Sequence, residues 1–155
     1  MYCSDSDWQK EGENICYESK DEKPGRIVMK TEGLLIGMKL VHRSGYLNCG
    51  ESPRHQSRWG CHGVPSEPEV MTVVTNDNKG IIFNYTARSL YGVNGKKSDE
   101  IVFLDTDTPI YASKGMEVQI WYTQDLKDFT EHNNSGVHCV DVYVKINSPE
   151  KYIKI

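Results

Sequence analysis

Residues 116–146 read MEVQIWYT (116–123), QDLKDFTEHNNSG (124–136) and VHCVDVYVKI (137–146), and this stretch decides the fold. In the first run Met116, Val118, Ile120 and Tyr122 share one face, with Glu117, Gln119, Trp121 and Thr123 on the other. In the last run Val140, Val142, Val144 and Ile146 alternate with Cys139, Asp141, Tyr143 and Lys145. A period of two is the signature of half-buried antiparallel strands with one face on a core. The segment between them is longer than a hairpin needs and rich in side-chain oxygens: Asp125, Asp128, Glu131, Asn133 and Asn134. Long loops on a rigid β scaffold are where binding groups collect.

Working outward, the same logic yields further strands. EVMTVVT (69–75), the turn NDNKG (76–80) and IIFNYT (81–86) read as a hairpin around an Asn/Asp/Gly turn. EIVFL (100–104) is a strand that ends at Asp105-Thr106-Asp107, and RIVMKTEG and LLIGMKLVH read as strands on either side of Gly33. Gly37 interrupts the second of these as a bulge or a close backbone approach. KYIKI (151–155) is a last short strand or a tail. No stretch carries a helical stripe, so the expected fold is an all-β antiparallel β-sandwich or jelly roll with disulfides. Residues 1–25 are polar and charge-mixed and are expected to form a leader, with a single sandwich domain over 26–155, divided at the turn Lys23-Pro24-Gly25.

The chain has 155 residues, a formal net charge of -4 and 26% charged residues. The acidic balance excludes nucleic acid as the natural partner, because phosphate binding needs a basic patch. No apolar run approaches the ~18 residues of a membrane span. Met1 is followed by Tyr-Cys-Ser-Asp rather than a basic and then apolar leader, so the chain reads as a mature one. Five cysteines without a CxxC pair, and the sequons at Asn84 and Asn133, point to a secreted, extracellular glycoprotein. Cys49 and Cys61 bracket a Gly/Pro/Ser-rich stretch and are expected to bridge, with Trp59 packed on the bridge as a small separate core or offered as an aromatic platform. Cys3 and Cys16 tie the leader down, either to each other or through Cys139. An odd cysteine is free or bridges to a second chain, which would make a homodimer.

Three chemistries compete for the polar residues. Calcium takes ~6–8 oxygen ligands, and Asp105 and Asp107 at one strand end with Asp128 and Glu131 in the long loop form the candidate set. Trp121 and Tyr143, on the faces opposite the apolar stripes, form a stacking surface for a sugar ring, with Asp125 and Asn134 to bond its hydroxyls. The bland alternative is that outward aromatics cover cross-strand neighbours, or that a one-residue slip makes Trp121 core. His55, Cys61 and His62 match no zinc spacing, and no nucleophile elbow, HExxH or P-loop is present, so the chain does not read as an enzyme.

The pieces KLVHRSGYLNC, RWGC, GIIF, SDEIVF and MEVQIWYTQDL…NNSGVHCVDVYV resemble a β-rich module of cnidarian secreted and skeletal-matrix proteins, over the run from Leu35 to Val144. The resemblance implies an extracellular module, often part of a larger adhesive or matrix protein, and carries over neither catalytic residues nor a ligand. The combined expectation is a lectin-like recognition module for carbohydrate or an extracellular matrix partner, calcium-dependent through the acidic residues. The alternatives are a self-associating adhesion or matrix unit and a small secreted hydrolase or toxin.

Overall fold

The computed structural model describes residues 8–61, 70–83, 98–104, 110–127 and 132–147. The strands in chain order are β1 (Gln9–Glu18), β2 (Gly25–Val28), β3 (Gly33–Gly45), β4 (Leu47–Asn48), β5 (Gln56–Ser57), β6 (Thr72–Asn76), β7 (Glu100–Phe103), β8 (Ile110–Ala112), β9 (Glu117–Tyr122) and β10 (Val137–Asn147). A short helix, α1 (Thr123–Lys127), follows β9. The larger sheet runs β1-β10-β3-β7, with β8 also on β3, and the smaller runs β2-β9-β6. Every pairing is antiparallel. The fold is thus an all-β sandwich.

The alternation read from residues 116–146 places the core correctly. Val140, Val142 and Val144 of β10, with Leu35, Met38 and Leu40 of β3, face Val118, Ile120 and Tyr122 of β9, and all are fully buried. Each such side chain contributes about 1.5–3 kcal/mol on leaving water. The hairpin expected over 69–86 is present as β6, its turn and a single bridge from Thr75 to Ile81 among the described residues.

The leader is where the sequence reading errs. Residues 9–18 are not a leader: β1 pairs with β10 along its length, from Gln9↔Val144 to Glu18↔Val137. Register shifts at Gly12 and before Ile15, with Asn14 at φ 52°, break the alternation that would have revealed a strand. The buried Glu11 carboxylate looks out of place in a core strand, but it accepts the Lys30 and Thr31 N–H groups and the Thr31 hydroxyl.

Both expected disulfide regions are resolved. Cys49 bridges Cys61, as the spacing implies. Cys16 bridges Cys139 across directly opposed residues of β1 and β10, which excludes the Cys3–Cys16 alternative. Trp59 is neither a separate mini-core nor a platform. It is fully buried in the main core, where its indole N–H donates to the Ser98 carbonyl at 2.7 Å and its ring meets His138 edge-on at 4.7 Å between centroids.

Candidate functional site

Asp125 and Asn134, expected to bond a sugar, are each 1% exposed. The Asp125 carboxylate accepts the Glu22 N–H at 2.8 Å and the Lys23 N–H at 3.1 Å. Those residues close a turn in which Asp21 and Glu22 both have positive φ, 67° and 55°. A non-glycine residue held there needs compensating contacts, and Asp125 supplies them from α1. The Asn134 amide donates to the Ser19 carbonyl at 3.0 Å, so both side chains clamp the 19–23 turn rather than face solvent. We expect Asp125→Ala to lower stability by about 2 kcal/mol, since it strands two N–H groups in a partly buried site. A midpoint in urea unchanged from the parent protein would refute this role.

Trp121 is 2% exposed. Its indole N–H donates to the Gln119 amide oxygen at 2.9 Å, and the Lys79 ammonium lies 5.2 Å from its ring centroid. The period-two reading puts it on the outward face of β9, as observed. The correction is that this central strand is covered on both faces. Tyr143, by contrast, is half-buried on the outer face of the larger sheet. The two aromatics therefore lie on opposite sides of the sandwich and cannot form one stacking surface.

The metal candidates Asp105, Asp107, Asp128 and Glu131 lie outside the described residues. The ends that flank them are at opposite poles. Phe103 and Ile110 pair with Met38 and Leu35 toward the start of β3. α1 follows Tyr122 at the other pole, beside the 19–23 turn. Among the described residues no three His, Cys, Asp or Glu side chains converge as a metal cluster would require.

The outer face of the larger sheet carries what the sequence reading missed. Lys10, Tyr143, Lys39 and Val102 form one cross-strand row over β1, β10, β3 and β7. Lys145, two residues along β10, stands opposite Gly37. Trp8 lies over that glycine: a Cβ there would meet Cη2 of its indole at 3.2 Å and the Phe103 carbonyl at 3.3 Å. The close approach expected at Gly37 is thus the shelf for an aromatic ring. The Lys39 ammonium is 5.2 Å from both the Trp8 and the Tyr143 centroids, and that of Lys145 is 5.9 Å from Trp8. These are cation–π distances. Beside them, Asp141 accepts from Arg43 at 3.1 Å and from the Asn14 N–H at 2.9 Å, and Lys10 binds Glu13 at 3.3 Å. Burial pulls the Asp141 carboxyl up, but the Asn14 N–H and the Arg43 and Lys10 charges outweigh it and hold the group below its ordinary range.

With this geometry in place, likeness to known proteins has meaning. Neither a protein-family model nor a curated protein matches the sequence. A solved structure does, with a TM-score of 0.81 over 90% of this chain and 97% of the other, at 24% identity: AJLec from the sea anemone Anthopleura japonica. The chain shares its fold with AJLec. That neighbour is a lectin and a cnidarian protein, in loose accord with the resemblance drawn from the sequence.

A second polar assembly crosses the core. Thr72 donates its hydroxyl to the Trp59 carbonyl at 3.0 Å, so it accepts from Tyr17 at 2.7 Å. The Tyr17 oxygen in turn accepts from His138 Nδ1 at 3.0 Å, which leaves His138 Nε2 to accept from His42 Nδ1 at 2.9 Å. One buried hydroxyl thereby fixes the tautomers of both imidazoles. Burial, then His42 and Arg58, push His138 down to about 3, and burial also lowers His42.

Proposed function

We propose that the protein is an extracellular carbohydrate-recognition module that holds a sugar ring on the outer face of its larger sheet, against Tyr143 and Trp8. The observation that carries this reading is the pair of partly exposed aromatics on the outer face of one sheet, with the donor groups of Lys10, Lys39 and Lys145 around them. An aromatic face takes the apolar side of a sugar, and flanking donors take its hydroxyls. The likeness to a lectin supports the reading, and two disulfides are compatible with an extracellular protein. A recognition role without catalysis fits this face, since no step of a reaction is needed to explain it.

Calcium belongs to the proposal only through two separate pairs, Asp105 with Asp107 and Asp128 with Glu131, whose flanking ends lie at opposite poles. Asp125 is committed to the 19–23 turn and offers the ion nothing. A glycan array run in calcium and in chelator tests both parts. We expect binding that Tyr143→Ala weakens about tenfold through lost ring contact, with the melting temperature kept near that of the parent protein. Silence across the array in both conditions would overturn the reading, as would full binding by the Tyr143→Ala variant.

A further inference from the structure

The sequon Asn133-Asn134-Ser135 lies in the turn that leads into β10, and the fold treats its three residues differently. Asn134, the middle one, is buried, and its amide donates to the Ser19 carbonyl at 3.0 Å. Asn133 is partly exposed and Ser135 is exposed. Neither the Asn133 amide nor the Ser135 hydroxyl is bonded to another described residue. The fold thus takes up the one side chain that a sequon leaves unspecified and keeps outside the two that it requires. The backbone beneath them is fixed. Ser135 and Asn48 exchange both N–H···O bonds, at 2.7 and 2.9 Å, and the Ser135 carbonyl also accepts the Ser19 hydroxyl at 2.8 Å.

We propose that Asn133 is a modification site that carries an N-linked oligosaccharide, added before this turn docks on Asn48 and Ser19. In the transfer, the Asn133 side-chain nitrogen attacks the anomeric carbon of an oligosaccharide carried on a lipid diphosphate. The nitrogen–carbon bond forms, the carbon–oxygen bond to the diphosphate breaks, the amide loses one proton, and the lipid diphosphate leaves. The secretory membrane of the producing cell supplies donor and transferase. An enzyme that grips Asn133 and Ser135 together takes the residue between them out of the protein as well. In the folded molecule that would expel Asn134 from its buried seat and break the pairing with Asn48. The step therefore belongs to the unfolded or nascent chain. Once the turn has docked, the attached chain stays in water, where a bulky polar group belongs. It also stands apart from Tyr143, which lies about 20 Å farther along β10 than Val137.

The test is made on the full chain, secreted from eukaryotic cells behind a cleavable signal sequence. Peptide mass mapping before and after peptide N-glycosidase is expected to find an oligosaccharide on Asn133, released with conversion of that asparagine to aspartate. Asn133→Gln and Ser135→Ala each lose it, Ser135→Thr keeps it, and Asn84→Gln, at the other sequon, leaves it in place. A secreted protein whose Asn133 is unmodified overturns the proposal, whatever the state of Asn84. The order of events is read on unmodified protein made in bacteria and given to purified transferase with its lipid-linked donor. The native form is expected to gain no sugar at Asn133 and the reduced, unfolded form to gain it. Equal modification of both overturns the claim that transfer precedes docking of the turn.

Discussion

Lowering the pH from 7 to 4 is expected to destabilise the native protein by about 3 kcal/mol through His138 alone. In the unfolded chain this imidazole takes up a proton near its ordinary 6.5, whereas in the fold it does so only at about 3. Between those values the unfolded state binds more protons, so stability falls as pH falls. The cause is geometric. Tyr17 from β1, itself bonded to Thr72 of β6, packs on the ring with the Trp59 ring and His42 from β3, and the Arg58 charge lies close by. Asp99, which accepts from Arg58 at 2.7 Å, is the carboxylate among the described residues that acts on His42. Among the described residues the carboxylates held below their ordinary range are Glu13, through Lys10 and Arg43, and Asp141, through the Asn14 N–H, Arg43 and Lys10; each adds a loss of the same sign as the pH falls. Denaturant midpoints at pH 7 and pH 4 measure the loss. His138→Gln costs stability at both but flattens the difference; an unflattened difference would assign the acid sensitivity elsewhere.

Removing the Cys16–Cys139 bridge is the second large effect. The two residues are 123 apart in sequence, against 12 for Cys49 and Cys61. In the chain-entropy account a cross-link over ~100 residues is worth about 4.7 kcal/mol and one over ~15 about 3 kcal/mol. Cys16→Ser with Cys139→Ser should therefore lower stability by about 5 kcal/mol, and Cys49→Ser with Cys61→Ser by less. Urea melts of the two double variants decide the order. The reverse ranking would mean that the β1–β10 ladder is held by its backbone pairing and the 49–61 loop by its bridge.

Much of the sandwich was legible because β9 and β10 alternate without interruption, and a period of two assigns faces directly. Trp121 shows the limit of that signal. Alternation says which side of the sheet a residue takes, not what covers the far side, and here Gln119 and Lys79 do. β1 was illegible because its bulges erase the period, and its charged residues are satisfied by contacts far along the chain. The same holds for the site. Tyr143 could be placed on an outer face from its neighbours alone, but Trp8 and Lys39 reach it only through strand pairing. Asp125 and Asn134 looked like ligand groups because a loop carboxylate or amide gives no sign in sequence of the turn it closes.

The middle strand of the larger sheet follows all of its partners in sequence. Until residues 137–147 are made, β1 and β3 border a slot about two strand spacings, or roughly 9.6 Å, across, and neither strand has its ladder complete. A nascent chain halted before Val137 thus exposes two open edges, each a template for pairing with another molecule. Insertion of β10 closes both at once and brings Cys139 to Cys16. Folding on this plan is slow, since contacts so distant in sequence are made late and together. Oxidation of that bridge would then act as a latch on finished molecules, set only after the last strand has slid home.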